Sequence, residues 1–305
     1  MDLILDLQNV VKNYDKKIAV NDVSFGVPRG SIFGLLGPNG AGKTSLIRII
    51  TTITRADSGK VFLDGQALNS HHPEQIGYMP EERGLYKKMK VGDHLTYLGR
   101  LKGLSAKDTK IALEYWMEKF EVTSWWNKKI EELSKGMQQK IQFIATVLHN
   151  PKLIILDEPF TGLDPINTNL LKDEIAELSA KGVSIIFSTH RMEQVEEICN
   201  NIVLIDQGEN ILNGPVKDIR NRFKLNRFQV DFTSEWAGTM PSEFEVIAQN
   251  PDSLVVGLGK SGNSTALLQY LLAQGVQIRA FNEIMPSLNE IFIQAVEKNH
   301  TIVQA

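Results

Sequence analysis

The stretch Ser31-Ile32-Phe33-Gly34-Leu35-Leu36-Gly37-Pro38-Asn39-Gly40-Ala41-Gly42-Lys43-Thr44-Ser45 decides the fold. Its first six residues are a nearly continuous apolar run, as expected of a central strand covered on both faces. The next eight fit the pattern GxxxxGK[ST], and Thr44 to Ile53 then reads as helix. Glycines let such a loop curl until successive N–H groups point at phosphate oxygens, and the helix N-terminus adds partial positive charge. Gly37, Pro38, Asn39, Gly40, Ala41, Gly42, Lys43, Thr44 and Ser45 are therefore the candidate phosphate-binding residues. Lys43 is predicted to reach the β- and γ-phosphates and take part in catalysis, and the Thr44 hydroxyl to ligate Mg²⁺.

Outward from this loop, two further apolar runs, Leu153 to Leu156 and Val183 to Phe187, alternate with amphipathic helix patterns at 134–149 and 165–181. Strands alternating with helices imply crossovers and a parallel sheet. In such a sheet ligands sit beyond the carboxyl ends of the strands, so the pair Asp157-Glu158 is delivered to the edge that carries the phosphate loop. Asp157 is the candidate Mg²⁺ ligand, and Glu158 the candidate base that takes a proton from an attacking water. A guanine reader of the form N-K-x-D is not met by Asn127-Lys128-Lys129-Ile130, which favours ATP as the nucleotide.

The flanks carry other patterns. Leu3 to Val27 alternates with period two around the turn residues Asp15-Lys16-Lys17, predicting antiparallel strands with one buried face. Residues 91–149 read as all helix, with Ser105 as an N-cap and an apolar stripe at Ala112, Leu113, Trp116, Met117 and Phe120. After Gly214-Pro215 a basic connector (Lys217, Arg220, Arg222, Lys224, Arg227) is predicted to be a solvated linker face, with contact to anionic lipid as the alternative. Beyond it come strands at 228–233, 244–249 and 253–258, a helix at 264–273, a strand at 276–281 and a helix at 287–298. The predicted division is a domain of residues 1–220, with a helical subdomain at about 91–149, and an α+β domain of residues 221–305.

Composition narrows the function classes. The 305 residues suggest about two domains at roughly 150 each. Thirty-three Lys and Arg against 36 Asp and Glu give a net charge of -3, which disfavours a general nucleic-acid binder. The single cysteine, Cys199, excludes an intramolecular disulfide. The acids Asp2 and Asp6 stand where a cleaved leader needs basic residues. No uncharged apolar run approaches the ~20 residues of a membrane-crossing helix. The expectation is a chain neither exported nor membrane-spanning.

Three further segments resemble one family, the nucleotide-binding domains of ATP-binding-cassette (ABC) proteins. Leu133-Ser134-Lys135-Gly136-Met137-Gln138-Gln139-Lys140 is similar to the ABC signature motif, with Ser134 lying 23 residues before Asp157. Phe160-Thr161-Gly162-Leu163-Asp164 resembles the D-loop, and Ser188-Thr189-His190 the switch histidine. The resemblance covers roughly residues 3–215. It implies a P-loop α/β cassette with a parallel-sheet core, an antiparallel β subdomain and a helical subdomain, followed here by the small α+β domain. It further implies that Ser134, Lys135, Gly136 and Asp164 contact ATP held by a partner subunit, that His190 senses the γ-phosphate, and that Tyr14 stacks on adenine.

Two motifs depart from the pattern. Lys135 and Met137 replace a Gly and the Gln of Leu-Ser-Gly-Gly-Gln, while Gly136 survives. Glu81 replaces the Q-loop glutamine and is a third candidate metal ligand; beside Asp157 and Glu158 it also adds like charge. With the segments 80–86 and 286–292, these features are similar to the ATPase subunits of bacterial ABC-2-type exporters. That resemblance implies a head-to-tail dimer that binds and hydrolyses MgATP against the cytoplasmic face of a separate permease. An ABC ATPase working on ribosomes, DNA or an assembly complex is the alternative. The tail fits dimer stabilisation, regulation or permease docking equally.

Overall fold

The computed structural model describes residues 2–15, 17–82, 84–236, 238–259 and 262–304. Lys16 of the predicted turn and Arg83 of the segment after Glu81 lie outside the described residues. In chain order the elements are β1 (Leu3–Tyr14), β2 (Lys17–Pro28), β3 (Ile32–Leu36), α1 (Lys43–Ile50), β4 (Ser58–Leu63), β5 (Gln66–Ala67) and β6 (Ile76–Met79). Then come α2 (Val91–Leu101), α3 (Ala106–Lys119), α4 (Lys135–Val147), β7 (Leu153–Asp157), α5 (Pro165–Ala180), β8 (Ser184–Ser188), α6 (Met192–Ile198), β9 (Asn201–Asp206), β10 (Glu209–Pro215) and α7 (Val216–Arg222). The last are β11 (Arg227–Phe232), β12 (Glu245–Asn250), β13 (Ser253–Gly257), α8 (Ser264–Ala273), β14 (Ile278–Ile284) and α9 (Leu288–Gln304). They separate into two compact units, Met1–Val216 with Lys298–Ala305, and Lys217–Glu297. No helix among the described residues is long and apolar enough to cross a membrane.

In the first unit the period-two pattern becomes an antiparallel sheet of order β2-β1-β4-β5. Its inward residues pair across β1 and β2, Leu5 opposite Val27 and Leu7 opposite Phe25. The second sheet has the order β10-β9-β3-β8-β7-β6. Its β3–β8, β3–β9, β7–β8 and β6–β7 pairings are parallel. Between the sheets α1 buries Leu46, Ile47, Ile49 and Ile50, and one core runs from Leu5 and Val23 through α1 to Leu35, Ile155 and Ile186. Each such side chain taken from water stabilises by roughly 1.5–3 kcal/mol.

The helical region is less continuous than its composition predicts. α3 stops at Phe120 because Glu121 turns left-handed (φ 55°), a conformation that ends a helix. Two 3-10 turns, Thr123–Trp125 and Ile130–Glu132, then carry the chain to Ser134. α4 packs against β6 with no room between: a Cβ on Gly77 would lie 2.3 Å from the carbonyl oxygen of Thr146. Backbone cannot move aside as a side chain can, so Gly77→Ala is expected to cost about 3 kcal/mol, read as a lower midpoint in urea or thermal unfolding. An unchanged midpoint would mean that α4 is not seated on β6 in this way.

In the second unit four antiparallel strands are ordered β12-β13-β11-β14. One face presents Val230, Phe232, Leu254 and Val256, which bury against Leu267 and Leu271 of α8. The basic segment is a correction to the linker expectation. It forms most of α7 and the start of β11. Lys217, Arg222 and Arg227 are exposed, as the solvated reading expects, but Arg220 and Lys224 have partners: Arg220 Nε donates to the Pro286 carbonyl at 2.9 Å, and Lys224 pairs with Glu283 at 2.6 Å. Those partners lie some sixty residues away in sequence, so the charge run alone reads as solvated.

Candidate active site

Strand order assembles the site. β3, β8, β7 and β6 are consecutive neighbours, all parallel, so their carboxyl ends line one edge. β3 leads into the glycine loop, β8 into Thr189 and His190, β7 ends at Asp157, and β6 leads to Pro80 and Glu81. Residues far apart in sequence thus stand in a row. The loop itself needs glycine where it crosses β2: at Gly42 (φ +111°) a Cβ would sit 2.3 Å from the Ala19 carbonyl oxygen.

Lys43, the first residue of α1, is partly buried, and its Nζ donates to the carbonyls of Gly37 (2.7 Å) and Pro38 (3.1 Å). Burial lowers its pKa, and the charges of Asp157, Glu158 and Glu81 work against that shift. Asp157 is buried, and the loss of solvent raises its pKa, as do Glu81 and Glu158; Lys43 opposes.

Glu158 is held at every polar atom of its side chain. Oε1 accepts from the His190 backbone N–H at 2.9 Å and lies 2.6 Å from His190 Nδ1, while Oε2 accepts from the Thr189 hydroxyl at 3.1 Å. The backbone is left-handed here (φ 50°), a strained state for a non-glycine residue, and the Glu158 N–H donates to the Ser188 carbonyl at 2.8 Å. The His190 ring itself is mostly exposed. An anchored carboxylate beside a phosphate loop, with an imidazole against it, can accept a proton from water and keep its orientation while doing so.

One cavity of about 370 Å³ gathers most of the predicted residues: Tyr14, Asn39 through Ser45, Glu81, Asp157, Glu158 and His190. Gly37 and Pro38 contribute the carbonyls that hold Lys43. Ser134, Lys135, Gly136 and Asp164 do not line it. Ser134 caps α4, accepting from Met137 N–H at 3.3 Å, and Asp164 caps α5, accepting from Asn167 N–H at 3.0 Å. The two caps are close, since a Cβ on Gly136 would meet Leu163 at 3.7 Å. Lys17 and Ala19 also line the cavity and were not predicted. Lys17 lies opposite Tyr14 in the β1–β2 register, so the hairpin reading combined with Tyr14 contained the signal.

Among the described residues no group of three or more His, Cys, Asp or Glu side chains could hold a metal ion alone. The donors at the cavity are hard oxygens, the Thr44 hydroxyl and the Asp157 and Glu81 carboxylates. One or two carboxylates and a hydroxyl, completed by phosphate and water, suit Mg²⁺, which rarely takes an all-protein cage.

Comparison with known proteins agrees with this geometry. The family profile "ABC transporter" matches residues 20–161, and "ATP-binding protein DrrA1-3-like, C-terminal domain" matches residues 214–296. The ABC transporter ATP-binding protein YhaQ of Bacillus subtilis (strain 168) is 42% identical over 296 residues, 96% of this chain and 98% of that one. The linearmycin resistance ATP-binding protein LnrL of the same organism is 35% identical over 222 residues, 72% of this chain and 71% of that one. A solved ATP-binding subunit of an ABC transporter superposes with a TM-score of 0.68 at 31% identity, covering 72% of this chain and 93% of that one. Identity of this order along nearly the full length of YhaQ, with the first profile lying across both the glycine loop and the Asp157 strand, makes the chain a member of the ABC transporter ATP-binding protein family.

Proposed function

We propose that this ABC ATPase is the energising subunit of an exporter, acting as a head-to-tail dimer on the cytoplasmic face of a separate membrane permease. The observation that carries the catalytic part is the fixed Glu158 carboxylate at the edge of the phosphate-loop cavity. In this reading the loop N–H groups and Lys43 bind the phosphates, Tyr14 stacks on adenine, and Glu158 takes the proton of the attacking water. His190 orients Glu158 through Nδ1 and presents its exposed edge to the γ-phosphate. Thr44 and Asp157, with Glu81 at the Q-loop position, would hold Mg²⁺, which when bound neutralises developing charge on the phosphates.

Ser134, Lys135, Gly136 and Asp164 stand apart from the cavity, and two helix N-termini meet there with Lys135 exposed. That supports a second half-site which closes on ATP held by a partner copy. The partition into a cassette of residues 1–220 and an accessory domain of residues 221–305 belongs to the same proposal. Export rests on LnrL, a resistance protein by its name, and on similarity to the Nod factor export ATP-binding protein I of Burkholderia thailandensis, 34% identical over 213 residues, 69% of this chain and 70% of that one.

Membrane fractionation tests the partner. Co-expressed with a multispanning chain encoded beside it, the protein is expected in the membrane fraction, and in the supernatant when that chain is omitted. A protein that stays in the supernatant in both cases overturns the transport reading, and copurification with ribosomes or DNA at physiological salt would replace it.

A further inference from the structure

We propose that Gln139 is a positioning residue for Glu158, acting through the backbone of Pro159. The inference rests on the reading of Glu158 as the base. Gln139 is 4% exposed on α4, and its Nε2 donates to the Pro159 carbonyl at 2.7 Å. Three positions on, along the same face of the helix, Gln142 is equally buried and its Nε2 donates to the Pro80 carbonyl, also at 2.7 Å. Each glutamine therefore grips the peptide next to a cavity carboxylate, Glu158 in one case and Glu81 in the other.

The grip matters most at Glu158. Its left-handed backbone persists only where its neighbours impose it. On one side its N–H is fixed to the Ser188 carbonyl. On the other, the proline ring locks φ of Pro159, and Gln139 fixes the carbonyl that follows. The anchor comes from the helix that Ser134 caps, and that helix is seated on β6 at Gly77. α4 thus links the Ser134 turn to the loop carrying the base of the same chain, and a displacement at its N-terminus reaches Glu158 through one buried amide.

Gln139→Met removes the donor at nearly constant volume, with folding checked by thermal unfolding. The expected result is a kcat for ATP hydrolysis reduced about tenfold and a KM for ATP changed less than twofold, as for a misaligned base with intact binding. The decisive comparison repeats the substitution in a Glu158→Gln background, with residual phosphate release measured radiometrically. A residue that acts through Glu158 lowers that residue's contribution only, so no further loss is expected there. A wild-type kcat in Gln139→Met, or the same tenfold loss in both backgrounds, overturns the inference. Should Gln139→Met not fold, Gln139→Glu keeps size and polarity while removing the neutral-pH donor, and the same two backgrounds are read. Wild-type hydrolysis in Glu158→Gln alone would instead overturn the assignment of the base.

Discussion

In Glu158→Gln, ATP hydrolysis is expected to fall by about 10²- to 10⁴-fold, the span general-base groups contribute, while ATP binding persists. The amide is the same size as the carboxylate and keeps one oxygen to accept from His190 N–H at the position now 2.9 Å away. Its NH₂ replaces the oxygen that accepts from Thr189, and its remaining oxygen is far too weak a base to take a proton from water. The left-handed backbone is unaffected by an isosteric change at the side-chain tip. Binding survives because Lys43 and the loop N–H groups, which meet the phosphates in this reading, are untouched. With hydrolysis blocked, the ATP-bound dimer should accumulate, visible by size-exclusion chromatography in MgATP. Phosphate release at the wild-type rate would show that another group takes the proton.

Lys43→Ala is expected to weaken nucleotide binding by about 100-fold, equivalent to about 3 kcal/mol, in titration with a fluorescent ATP analogue. Two effects add. The phosphates lose a charge-assisted hydrogen-bond donor at the start of α1. The carboxylates of Asp157, Glu158 and Glu81, which now act on the Lys43 charge, are left facing an incoming polyanion without it. Low local dielectric makes that repulsion larger than it would be in bulk water. An affinity within twofold of wild type would place the phosphates elsewhere.

The buried strands were legible because their apolar runs are short and end in chemistry: Leu153–Asp157 and Ser184–Ser188 stand where the sequence puts them. The less buried strands were not. β4 buries only Val61 and Leu63, and β10 has no buried residue, so neither carries a hydrophobic period to detect. Around 120–134 the apolar residues continue the helical stripe while Glu121 breaks the backbone, a local event that side-chain periodicity does not encode. The loop and Asp157-Glu158 could be read because motif and strand coincide. Gln139 could not, because its meaning lies in a carbonyl twenty positions away, brought near only by the packing of α4.

Lys43 also bears on the thermodynamics of nucleotide capture. A free lysine side chain carries about 2 kcal/mol of rotamer entropy, which a binding event must normally remove. Here the carbonyls of Gly37 and Pro38 already confine the ammonium. That ordering is completed during folding, so a phosphate replaces two neutral acceptors around a side chain already in place. The loop is preorganised by its own backbone, and nucleotide affinity measures the difference between a phosphate oxygen and a peptide carbonyl as partners for one cation.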